Sequence, residues 1–116
     1  ERPYAGPGTF DEPRMREIAA RVVDRSNDIA ASLTNHFLVD DDGGPADRRL
    51  GRLATLPTLV VHGTEDQMLS AINGDLIASL VPGARLELFE GVGHLVYWEQ
   101  PERVAALVRE LAGAQG

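Results

Sequence analysis

Two side chains in this sequence have the types and spacing to do chemistry together, Asp66 and His94. Each closes a short apolar or alternating run that breaks at glycine. The first is Thr58-Leu59-Val60-Val61-His62-Gly63-Thr64-Glu65-Asp66, and the second is Arg85-Leu86-Glu87-Leu88-Phe89-Glu90-Gly91-Val92-Gly93-His94. A carboxylate beside an imidazole fixes the ring's tautomer and stabilises its protonated form. Such a pair can draw the proton from a hydroxyl, which is otherwise a poor nucleophile. The two residues lie 28 positions apart. That span holds a strand, a helix and a second, parallel strand. Both loops then leave the same edge of one sheet, where sites in open α/β sheets collect.

The elements that must position them follow from the pattern. Residues 58–62 are short, β-branched and bounded by Pro57 and Gly63, and Leu59-Val60-Val61 run without alternation, as in a strand covered on both faces. Ser70 is placed to cap a helix with Ile72, Leu76, Ile77 and Leu80 on its inner face, ended by Pro82-Gly83. Leu86 and Leu88 alternate with Arg85 and Glu87, which predicts a second strand at a sheet edge with one face partly wet. Pro101 and Glu102 open a last helix with Val104, Leu107, Val108 and Leu111 as its apolar face. Upstream, residues 1–10 hold Pro3, Gly6, Pro7 and Gly8 and read as a loop or frayed lead-in. Asp11 then caps a helix with Met15, Ile18, Ala19, Val22 and Val23 on one side. Ser26-Asn27-Asp28 breaks it and caps a second stripe of Ile29, Leu33 and Phe37, and residues 46–53 are expected to add one or two helical turns.

Composition narrows the function. The chain has 116 residues, 43% hydrophobic and 25% charged, which suits one soluble globular domain or a piece of one. Net charge is −7 with no basic stripe, which argues against nucleic acid and against an anionic membrane surface. Cysteine is absent, so disulfides, thiolate catalysis and Cys-based zinc sites are excluded. No apolar run is long enough to span a bilayer. His36, His62 and His94 sit on separate elements without a His-x-x-x-His pair, so no metal site is expected. Asp40-Asp41-Asp42 lacks the alternating ligands of a calcium loop and reads as a solvated turn. His62, at the end of a buried strand, reads as structural, and His36, beside Phe37, as packing or surface. Trp98 reads as a packing anchor under the last helix.

Four motifs carry a resemblance. Pro57-Thr58-Leu59-Val60-Val61-His62-Gly63-Thr64-Glu65-Asp66, Val81-Pro82-Gly83-Ala84-Arg85-Leu86, Gly91-Val92-Gly93-His94 and Glu99-Gln100-Pro101-Glu102-Arg103-Val104, in this order and spacing, resemble the C-terminal third of α/β-hydrolase-fold enzymes. They look most like esterase-like actinobacterial members of the aclacinomycin methylesterase type. The resemblance implies an α/β fold, two parallel strands with flanking helices, preceded by a helical cap segment. It divides the chain into residues 1–55, the end of the cap, and residues 56–116, the C-terminal part of the core. It implies that Asp66 is the catalytic acid and His94 the catalytic histidine, in the family's order of nucleophile, acid, histidine. Met68, Leu69, Leu95 and Val96, beside these two, are expected to line a substrate pocket.

The departure from the family pattern is the nucleophile. No Gly-x-Ser-x-Gly occurs, and Ser26, Ser32, Ser70 and Ser79 do not sit in a strand-to-helix elbow. The expectation is therefore the C-terminal portion of a carboxylic-ester hydrolase whose serine lies in a missing N-terminal half, with this chain inactive alone. Its substrate would be a small hydrophobic ester. Its partners would be the missing half and a second copy of the chain, and it would need no cofactor. The chain starts at Glu1 rather than Met, which leaves a targeting segment open, and a cytoplasmic location is expected. Dehalogenases, epoxide hydrolases, C–C hydrolases and haloperoxidase-like enzymes share the framework, and a non-catalytic binding protein on the same scaffold is the alternative of a different class.

Overall fold

The computed structural model of the chain describes residues 2–40, 43–45 and 47–113. They form two compact units, Asp11–Gly44 on the one hand and Glu1–Phe10 with Pro45–Gly116 on the other.

The first unit is helical, and its capping follows the sequence. Asp11 accepts a hydrogen bond from the Arg14 N–H at 3.0 Å and starts helix α1, Glu12–Arg25, with Pro13 in the first turn. Glu12 pairs with Arg16 and Glu17 with Arg21, one helical turn apart on the solvent side. The helix stops at Ser26, whose backbone is extended. Asp28 accepts from the Ala31 N–H at 2.9 Å and starts helix α2, Ile29–Thr34. The Asn35–Phe37 turn follows. Helix formation here is local, because no residue of these elements is buried. Phe37, Leu38 and Val39 are exposed. Asp41 and Asp42 of the acidic turn lie outside the described residues.

The second unit carries the sheet. Helix α3, Asp47–Leu50, and a short turn over Gly51–Thr55 lead to strand β1, Leu59–Gly63. Helix α4, Ile72–Leu80, connects it to strand β2, Arg85–Phe89. The strands are parallel and in register, with Leu59 opposite Arg85 and His62 opposite Leu88. The single-turn helix α5, Val96–Glu99, and helix α6, Pro101–Gly113, complete the unit.

Side-chain alternation sorts the two faces of the sheet. Leu59, Val61, Arg85, Glu87 and Phe89 face α5 and α6. The core forms there from Phe89, Val92, Val96 and Leu107, with Leu59, Val61 and Val104 against it. Phe89 is fully buried, a side chain whose removal from water contributes up to about 3 kcal/mol. The strand's polar face is only partly wet, with the Arg85 side chain 49% exposed and that of Glu87 22%. The reason is charge pairing across the layer. Glu87 is shared by Arg85 and Arg103, Arg85 also reaches Glu110 at 3.0 Å, and the Arg103 guanidinium lies 3.7 Å from the centre of the Phe89 ring.

Helix α4 lies on the other face, beside His62. Its inner surface is Gly74 and Ala78, followed by the buried Val81, and of the larger residues expected there only Leu80 is half-buried. Ile72, Leu76 and Ile77 point outward, at 68, 56 and 40% exposure. Small residues let the helix approach the strand closely, so the bulky ones are turned away from it. Ser70 does not cap α4 with its side chain. Its carbonyl instead accepts from both the backbone and the side chain of Asn73. Likewise Val108 of α6 is exposed, one position around the helix from the buried Leu107.

The lead-in is not frayed. Residues 2–10 and the segment from Pro45 belong with the sheet. Tyr4 and Gly6 hydrogen-bond to the segment that carries His94 and Glu99.

Candidate active site

The loop after β1 delivers Asp66. It is sewn to the end of β2 by three bonds: the Thr64 N–H donates to the Phe89 carbonyl at 3.0 Å, the Glu65 N–H to the Val92 carbonyl at 2.9 Å, and the Gly91 N–H to the Thr64 hydroxyl at 2.9 Å. A parallel pair in register puts both loops at one sheet edge, and these bonds fix their spacing.

The loop after β2 delivers His94, and the lead-in holds it in place. The His94 N–H donates to the Tyr4 carbonyl at 2.7 Å. Glu99 of α5 gathers three donors, the Gly93 N–H at 3.1 Å, the Gly6 N–H at 3.0 Å and the Thr9 hydroxyl. A side chain at position 93 would collide with the Tyr4 carbonyl oxygen and come within 2.6 Å of the Ala5 carbonyl carbon, so glycine is required by this close approach.

The geometry joins the two residues. His94 Nδ1 lies 2.8 Å from Asp66 Oδ2. The Asp66 side chain is 4% exposed and that of His94 28%, so the carboxylate is covered and the ring reaches the surface. Burial opposes the negative charge on Asp66. Hydrogen bonds from the Leu69 N–H, from His94 and from the Met68 N–H, together with the attraction of the imidazole, outweigh it and hold the carboxyl below its ordinary range. With Nδ1–H donated to the carboxylate, Nε2 of His94 is the nitrogen left to accept a proton.

The remaining expected residues divide. Met68 and Leu69 follow Asp66 and are about half exposed. Leu95 is half-buried beside His94. Val96 packs into the core with Phe89 and Leu107. His36 is exposed and stacks on Phe37 at 3.8 Å, and Trp98 is half-buried with its ring edge-on to Tyr97. Among the described residues no cluster of His, Asp and Glu could hold a metal ion.

Residues 17–101 match the family profile described as the alpha/beta hydrolase fold. The chain belongs to this family. Over 53 residues it is 34% identical to the monoacylglycerol lipase ABHD6 of Homo sapiens, a match covering 46% of this chain and 16% of that one. An uncharacterized protein of Mycobacterium tuberculosis is 32% identical over the same length and shares. Among solved structures, a thermophilic esterase from Thermogutta terrifontis superposes with a TM-score of 0.54 at 30% identity, over 60% of this chain and 25% of that chain. Est816, described as an N-acyl homoserine lactone degrading enzyme, gives the same TM-score and identity over 78% of this chain and 41% of that one. The match thus spans under a fifth of the curated relatives' length and under half of either solved hydrolase. The chain has lipase and esterase relatives, and among its described residues no helix is long and apolar enough to cross a membrane.

Two contacts had not been anticipated. The Glu99 carboxylate was legible only as part of the Glu99-Gln100-Pro101 motif, with nothing to indicate that it binds the lead-in. His62, read as structural, touches Asp66, and its spacing of four residues from the acid was the available signal.

Proposed function

We propose that this chain supplies the acid and the histidine of a serine-type carboxylic-ester hydrolase. The observation that carries the reading is the 2.8 Å bond from His94 Nδ1 to Asp66 Oδ2 in a loop pair closed by backbone hydrogen bonds. The serine and the oxyanion donors belong to a segment outside these 116 residues, since no Gly-x-Ser-x-Gly is present. His94 Nε2 takes the proton of the serine hydroxyl as it attacks the ester carbonyl. It returns that proton to the leaving alkoxide, then activates water to release the acid. Asp66 stays ionised throughout and stabilises the imidazolium.

The substrate is a small or mid-sized hydrophobic ester. Met68, Leu69 and Leu95 supply apolar surface beside the two catalytic groups, and Asp11–Gly44 belongs to a helical cap segment. The esterase and lipase names of the relatives favour acyl esters, and the lactone-degrading relative extends the class to cyclic esters. The test is hydrolysis of p-nitrophenyl esters by the full-length protein. His94→Ala is expected to abolish turnover, and activity retained in that variant overturns the assignment.

A further inference from the structure

A second imidazole reaches the same carboxylate. His62 closes β1 four residues before Asp66, and its side chain is 11% exposed. Its Nε2 lies 2.9 Å from the Leu69 carbonyl oxygen and 3.2 Å from Asp66 Oδ2. The Leu69 carbonyl is an acceptor, so Nε2 carries a hydrogen and donates it there, with Asp66 Oδ2 close by but outside that hydrogen bond. The Leu69 N–H returns to Asp66 Oδ1 at 2.9 Å, and the Met68 N–H reaches that atom at 2.8 Å. Oδ1 is therefore occupied by two backbone donors of the turn that His62 fastens, and Oδ2 by His94. The last torsion of an Asp side chain is soft, so a carboxylate held at one oxygen can still turn. Held at both, its plane is fixed. Helix α4 clamps the His62 ring from the other side. A methyl group added at Gly74 would lie 3.1 Å from His62 Cβ and 3.3 Å from Nδ1, so only glycine gives the ring its full room.

We propose that His62 is a positioning residue, whose Nε2–H, donated to the Leu69 carbonyl, fixes the turn that holds Asp66 Oδ1 so that Oδ2 meets His94 Nδ1. This rests on the hydrolase reading above. The ring acts through Asp66 and Leu69 rather than on substrate.

The test compares His62→Leu, which has no donor, with His62→Gln, whose amide N–H falls near the former Nε2. In the full-length hydrolase His62→Leu is expected to lower kcat for a p-nitrophenyl ester about 10- to 100-fold, with KM within about twofold, and His62→Gln to recover most of the loss. A packing role alone would lower the melting temperature and leave kcat per folded molecule unchanged in both variants, and that result overturns the proposal. Should His62→Leu not fold, His62→Asn replaces it, since its shorter amide falls at the Nδ1 position. If the wild-type protein hydrolyses no ester, the hydrolase reading fails separately. NMR titration of the Asp66 carboxyl then decides the positioning role. Its pKa rises in His62→Leu and returns in His62→Gln if the bond holds the carboxylate, and an unchanged value overturns the proposal.

Discussion

At the residue scale, Asp66 is expected to work through geometry and charge together. Asp66→Asn keeps the size of the side chain but presents an amide where Nδ1–H needs an acceptor, so the full-length enzyme should lose about 10⁴-fold in kcat with little change in KM. The same residue sets an acid limit. Its folded pKa is depressed, so the carboxylate contributes stability above its unfolded value of 3.8, and that contribution disappears as pH falls through the lowered folded value. Melts between about pH 5 and pH 2 should show this loss in the wild-type protein and a flatter acid limb in Asp66→Asn. The acid and the histidine were legible in the sequence because a glycine-broken run ending in an ionisable residue is a local signal. The contact of His62 with that acid was not, because the turn that folds Asp66 back beneath the strand is set by the Met68 and Leu69 N–H groups.

At the element scale, the sheet and its two loops depend on one buried layer and one close approach. Phe89→Ala removes the fully buried side chain of β2 and should cost about 3–5 kcal/mol in denaturant unfolding of the full-length protein. Val108→Ala, on the exposed side of α6, should stay within about 0.5 kcal/mol. Gly93→Ala pushes a methyl group into the lead-in backbone at Tyr4 and Ala5. Stability should fall by about 1–3 kcal/mol, and ester hydrolysis should fall with it because His94 is the next residue. Both strands and the longer helices were readable from periodicity to within a residue or two, whereas the single-turn helix Val96–Glu99 was not. Which side of a helix is buried was not. Four outward-facing apolar residues, Ile72, Leu76, Ile77 and Val108, fit the helical spacing as well as the residues that actually pack. Periodicity finds a stripe, and only the neighbour decides which edge of it is covered.

At the scale of the whole molecule, the sheet has two strands, and each has an edge without a partner strand among the described residues. The outer side of α4 adds exposed apolar surface, and so does Leu88 on β2. Open edges beside apolar surface favour pairing with another chain. The 116-residue chain alone is expected to self-associate, and sedimentation velocity should show species heavier than a 12.5 kDa monomer. A single sharp monomer peak over a tenfold concentration range would refute this.

The sequence by itself determined the β–α–β order, the helix starts at Asp11 and Asp28, and the acid and imidazole at the two loop ends. These are local matters of capping, periodicity and turn chemistry, written within a few residues of where they act. Only the tertiary structure decided that residues 2–10 hold the His94 loop through Tyr4 and Glu99, that the charged face of β2 pairs with α6, and that His62 fastens the turn after Asp66 at the Leu69 carbonyl. Those contacts join positions far apart in the chain or across a turn, where the three-dimensional path of the backbone, rather than residue type, sets the distance.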